Sequence, residues 1–140
     1  MMSLSLSLAA LCLSPALALS KPGTTSLFAT HYTTSKVHTL QLSHANTTNN
    51  NYSLTETSAL ETCGTYPSWI TLDPASRTLY CSDEDGYRNA NQAVNGSLTA
   101  LEVGHDGLLS EIASTSKAPG SGVHNVVYEA GGEKYLAVAH

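Results

Sequence analysis

The sequence predicts an all-β chain that forms part of a β-propeller, about two and a half four-stranded blades of a larger ring. Three observations carry that prediction. First, Ser68-Trp69-Ile70-Thr71-Leu72-Asp73-Pro74 with Arg77-Thr78-Leu79-Tyr80-Cys81-Ser82 realigns without a gap onto His124-Asn125-Val126-Val127-Tyr128-Glu129-Ala130 with Glu133-Lys134-Tyr135-Leu136-Ala137-Val138, an offset of 56 residues. Second, Leu27-Phe28-Ala29-Thr30-His31-Tyr32 matches Leu79 to Glu84, and Val37-His38-Thr39-Leu40-Gln41-Leu42 matches Leu98 to Val103. Third, no strong helical pattern occurs beyond the N-terminal apolar stretch. A repeat of this length built from strand-length runs and turn residues is the signature of propeller blades. A small closed β-sandwich is the competing reading, because turn signals at this spacing suit it as well.

The elements follow in order. Residues Leu4 to Leu19 are apolar apart from serines and Pro15, and close on the small-x-small sequence Ala16-Leu17-Ala18. The run is short for a bilayer span and reads as a cleaved secretory signal over residues 1–20, leaving residues 21–140 as the propeller part with no membrane span. The upstream partial repeat begins at the second strand of a blade, so blade 1 is expected to have three strands. Ala45 to Asn51 and Asp85 to Asn95 are rich in Asn, Gly and other turn residues and read as loops. Asp73-Pro74-Ala75-Ser76 and Glu129-Ala130-Gly131-Gly132 are the hairpin turns. The sequence given stops at His140, inside the second strand of a third blade, and is expected to be the N-terminal part of a longer propeller.

A blade is a sheet that needs neighbours on both faces. Trp69, Ile70, Leu72, Leu79, Leu98, Leu101, Val103, Leu108 and Ile112 are the expected core between blades. Trp69, the only tryptophan, is read as a packed wedge in preference to a ligand platform.

Composition narrows the function. Six Lys and Arg against eleven Asp and Glu give a formal net charge of −5. With no basic stripe to neutralise phosphates, nucleic acid and an anionic membrane surface are excluded as partners. Three N-x-[ST] sequons, at Asn46, Asn51 and Asn95, fall in or beside predicted loops, and behind a secretion signal they predict a secreted or cell-wall glycoprotein. Removal of the signal takes Cys12 with it. Cys63 and Cys81 then remain, either as a disulfide in an oxidising compartment or as two buried thiols.

No Gly-rich phosphate loop, serine elbow or His-x-x-x-His pattern is present, and no metal site is expected. Asp83-Glu84-Asp85 followed by Gly86-Tyr87 does not match a calcium-binding loop and reads as a solvated turn. By the repeat, Ser68 and Trp69 in one blade and His124 and Asn125 in the next begin innermost strands, so these four are the expected channel-lining residues. His124, preceded by Gly120-Ser121-Gly122, is the candidate for a catalytic role. His31, His38, His44 and His105 have no acidic or nucleophilic partner at a telling spacing.

Pro67-Ser68-Trp69-Ile70-Thr71-Leu72-Asp73 with Arg77-Thr78-Leu79-Tyr80, Gly96-Ser97-Leu98-Thr99 with Gly107-Leu108-Leu109, and Gly122-Val123-His124 with Gly132 to Ala139 together resemble the lactonase-type seven-bladed propellers. That family includes 6-phosphogluconolactonase and 3-carboxy-cis,cis-muconate cyclase. The resemblance implies a cofactor-free reaction on a small acidic molecule, with cationic groups for its carboxylates or phosphate and a general acid or base near the ring. It places most of the family's catalytic histidine, arginine and glutamate positions on later blades. His124 is carried over only as a channel residue, and Arg77 and Arg88 match no catalytic position. A non-catalytic binding or adhesion propeller is the alternative function.

Overall fold

The structure, a computed structural model, describes residues 23–32, 34–45, 51–85 and 95–140. The expected signal segment, the Asn46 sequon, most of the loop between Asp85 and Asn95, and Arg88 lie outside the described residues. Among the described residues, nine strands form three antiparallel sheets. The first sheet holds β1 (Thr24–His31), β2 (Lys36–Ala45) and β3 (Asn51–Glu61); the second holds β4 (Pro67–Asp73), β5 (Thr78–Asp83), β6 (Gly96–Val103) and β7 (Leu109–Ala118); the third pairs β8 (His124–Ala130) with β9 (Glu133–Ala139). Three, four and two strands in meander order are the blade contents that the repeat predicts.

The repeat extends to the pairing register. Leu27 faces Leu40 in the first sheet, and their equivalents Leu79 and Leu101 face each other in the second. A register shift between Thr39 and Leu40 recurs between the equivalent Ala100 and Leu101. Such bulges raise the local twist of a strand at a fixed place, and here each copy twists at the same step.

The core lies between the first two sheets. Val37, Cys63, Leu79, Cys81 and Leu101 are buried, with Phe28, Leu60, Ile70, Val103 and Leu109 packed against them. The buried Val37, Leu79 and Leu101 each contribute about 1.5–3 kcal/mol by leaving water. Cys63 and Cys81 are joined as a disulfide within this cluster, with Cα atoms 5.8 Å apart. Four expected core members are instead exposed: Trp69 at 42%, Leu72 at 43%, Leu108 at 50% and Ile112 at 57%. Trp69 alternates with the inward Ile70 and so falls on the opposite face. Leu108 sits in the turn before β7, and Ile112 sits on β7, the outermost strand of its sheet.

The two repeated hairpins keep one register and present opposite faces. Trp69 pairs with Ser82 and Ile70 with Cys81, and the equivalents Asn125 with Val138 and Val126 with Ala137. Yet Ile70 and Leu79 pack into the core, whereas their equivalents Val126 and Tyr135 are 46% and 47% exposed. The turns explain the difference. β4 and β5 are joined by four residues, 74–77, after the pair Asp73–Thr78, whereas β8 and β9 are joined by two, 131–132, after the pair Ala130–Glu133. The pair flanking the turn has moved by one residue along each strand, and a one-residue change of phase exchanges the two faces. Gly131 and Gly132, at φ 62° and 85°, allow the two-residue primed turn that demands positive φ twice. Ala75 and Ser76, their equivalents, carry side chains that disfavour it.

Candidate functional site

The innermost strand of the second sheet, β4, lies beside β8 of the third. Antiparallel pairing brings the end of β1, the starts of β4 and β8 and the ends of β5 and β9 to one edge of the molecule. At that edge Trp69 and His124 meet with ring centroids 4.4 Å apart, tilted by 41°. Both are exposed. Tyr32, following β1, meets Tyr66, preceding β4, at 6.3 Å. The Tyr32 hydroxyl donates to Glu84 Oε2, and the Glu84 amide donates to Tyr66 O at 2.9 Å.

Ser68 and Asn125, expected on the channel wall beside Trp69 and His124, are engaged between the sheets. The Ser68 hydroxyl reaches Ser82 O at 3.0 Å and also Gly122 O in the connection to β8. Asn125 is 1% exposed. Its Nδ2 donates to Trp69 O at 3.3 Å and to Ser82 Oγ at 3.2 Å, and its carbonyl accepts from Thr71 Oγ1 at 2.8 Å. Its Oδ1 is buried without a hydrogen-bond partner among the described residues.

Asp83 departs from the solvated turn expected of the acidic run. It is 4% exposed, and Oδ1 accepts from the amides of Tyr66 at 2.8 Å and Asp85 at 3.1 Å, while Oδ2 accepts from Ser97 Oγ at 3.3 Å. Burial pushes its carboxyl above the usual range, against the hydrogen bonds that favour the anion. A Cβ on Gly64 would collide with Asp83 Oδ2, and Gly64 has φ +77°, so a glycine is required beside this carboxylate. These donors point at an anion, so Asp83 closes the blade edge and does not present itself to a cation. No group of three metal-binding side chains occurs among the described residues.

The histidines divide by surroundings. His38 Nδ1 lies 3.3 Å from Glu56 Oε1 across β2 and β3, an acidic partner that linear spacing hides because the strands are joined through a loop and a bulge. His44 packs on Tyr52 at 4.7 Å, His140 Nδ1 lies 3.0 Å from Gly120 O, and His105 is exposed. Arg77 contacts Val103 O at 2.9 and 2.7 Å through Nε and Nη2, and Gly104 O through Nη2. Its guanidinium is committed to the end of β6. Asn95 is exposed at the start of β6, while Asn51 begins β3.

Sheets of blade size in meander order, with aromatic rings where the innermost strands begin, define a partial β-propeller. Residues 26–140 match the family described as Lactonase, 7-bladed beta-propeller, and the chain belongs to that family. Searches of curated proteins and of solved structures give no match. No helix among the described residues is long and apolar enough to cross a membrane.

Proposed function

We propose that this chain contributes blades to a secreted lactonase-type propeller acting on small acidic lactones, by hydrolysis of the 6-phosphogluconolactone type or lactonisation of the carboxymuconate type. The family match carries this reading. His124 begins an innermost strand and is the residue of this chain that the resemblance carries over to the channel. In this reading residues 1–20 direct secretion, and Asn46, Asn51 and Asn95 carry glycans. The test is turnover of 6-phosphogluconolactone and of 3-carboxymuconate by a complete propeller that contains these blades and by its His124→Ala variant. Turnover lost in the variant supports His124 as a participant; absence of turnover in a folded protein removes the reading.

A non-catalytic binding propeller is the second reading. It is favoured by the pairing of His124 with an indole ring and by the commitment of Arg77 to backbone carbonyls.

A further inference from the structure

The edge that carries Trp69 and His124 has a chemistry that the lactonase reading does not use. Two aromatic pairs bridge successive sheets, Tyr32 after β1 with Tyr66 before β4, and Trp69 of β4 with His124 of β8. Tyr66 and Trp69 are three residues apart on one extended segment, about 10 Å. Tyr32 and Trp69 are 48% and 42% exposed, large values for aromatic side chains in a folded chain. The polar groups bonded into this surface include acceptors: the Glu84 carboxylate, which takes the Tyr32 hydroxyl, and Gly120 O, beside His140. Among the described residues, none of the contacts at this edge involves a lysine or arginine side chain.

We propose that this edge binds a neutral glycan, a polyhydroxylated ligand that lays the C–H faces of its rings on Trp69 and Tyr32 and donates hydroxyl hydrogens to Glu84. The match is one of complementarity. Carboxylates and amide oxygens accept and repel anions, so a phosphorylated or carboxylated small molecule is disfavoured here, whereas a sugar supplies donors all round its ring. The two aromatic pairs suit more than one sugar residue, so an oligosaccharide gains from both pairs at once. This inference does not depend on lactone turnover, and it stands or falls separately.

The full chain carries its own reporter, because Trp69 is the only tryptophan. Its emission is to be followed during titration with cellotetraose, methyl β-glucoside, 6-phosphogluconate and cis,cis-muconate. Saturable change with cellotetraose, weaker change with the monosaccharide and none with the two acids is the expected result. Glu84→Gln should weaken cellotetraose binding by about fivefold and Tyr32→Ala by about tenfold, each with an unchanged cooperative melt. Leu108→Ala, in the turn at the far end of the sheet, should bind as the parent does. No saturable response to either sugar overturns the proposal. So does an equal or stronger response to the acids. If the edge variants do not fold, the parent titrations alone decide.

Discussion

Lys134 of the third sheet donates to Asp73 Oδ2 at the hairpin turn of the second. Asp73 already accepts the Ala75 amide at 3.1 Å and the Ser76 hydroxyl at 2.7 Å, so the turn is closed locally before the lysine reaches it. One carboxylate therefore shapes its own hairpin and ties the next sheet to it.

The pH dependence of that tie is predictable. The Lys134 hydrogen bond, followed by that of Ser76, lowers the Asp73 pKa from 3.8 to about 2. A depressed folded value stabilises fully above 3.8 and is lost as pH falls towards 2. Lys134 is raised above 10.5, chiefly by the Asp73 hydrogen bond, so its contribution is complete below 10.5 and is lost at higher pH. Urea melts of the parent and of Lys134→Met should differ at neutral pH and converge in acid. An equal difference at both pH values would place the effect of the lysine elsewhere.

Asp83 titrates in the opposite sense. Its folded pKa lies above 3.8 because of burial, so its protonated form stabilises the fold below 3.8, and that contribution is lost as pH rises through the folded value. Asp83→Asn keeps an acceptor for the Tyr66 and Asp85 amides and should stay within about 1 kcal/mol of the parent at neutral pH. Asp83→Ala leaves those amides and the Ser97 hydroxyl unanswered and should cost about 2–4 kcal/mol. Chemical denaturation of the two variants separates charge from hydrogen bonding.

The Cys63–Cys81 link closes a sequence separation of 18 residues, for which loop-closure entropy gives about 3 kcal/mol. Melting with and without reductant should show that loss in the parent. Cys63→Ala/Cys81→Ala should be less stable by a similar amount and insensitive to reductant. A parent indifferent to reductant, with two thiols open to alkylation after unfolding, would contradict the bond.

Asn125→Ala removes the donor to Trp69 O and Ser82 Oγ, with an expected loss of about 1–3 kcal/mol. Asn125→Asp buries a carboxylate facing a carbonyl and should lose about 3 kcal/mol or more at neutral pH, with partial recovery in acid. Denaturation followed by Trp69 emission reads both. If Asn125→Asp is as stable as the parent, Asn125 does not occupy the closed position between the sheets.

The sheets were legible because pairing register survives in the repeat: Leu27 with Leu40 and Leu79 with Leu101 are found by aligning the chain on itself. The inward face of β4 and β5 was legible from Ile70 and Leu79. The outward turn of Trp69 was not, since a large aromatic residue in an alternating strand gives no sign of which neighbour covers it. Asp83 was hidden because nothing separates it from Glu84 and Asp85 in sequence. Its burial comes from Tyr66, Gly64 and Ser97, which meet it only after three strands have paired. Ser68 and Asn125 lie near the starts of β4 and β8, and their bonds across the seam depend on the phase of the second hairpin.

That phase rests on Gly131 and Gly132. Opening the Ala130–Glu133 pair would give the third sheet the same four-residue turn as the second, with every other strand partner kept, and would bring Val126, Tyr128 and Tyr135 to the side now held by Asn125, Leu136 and Val138. The hairpin is therefore reversible like a two-sided tile, and the choice of side is made at its most remote corner. Gly131→Ala with Gly132→Ser, which gives this turn the two central residues of the neighbouring blade's turn, is expected to turn the tile over, with Tyr128 and Tyr135 losing their exposure.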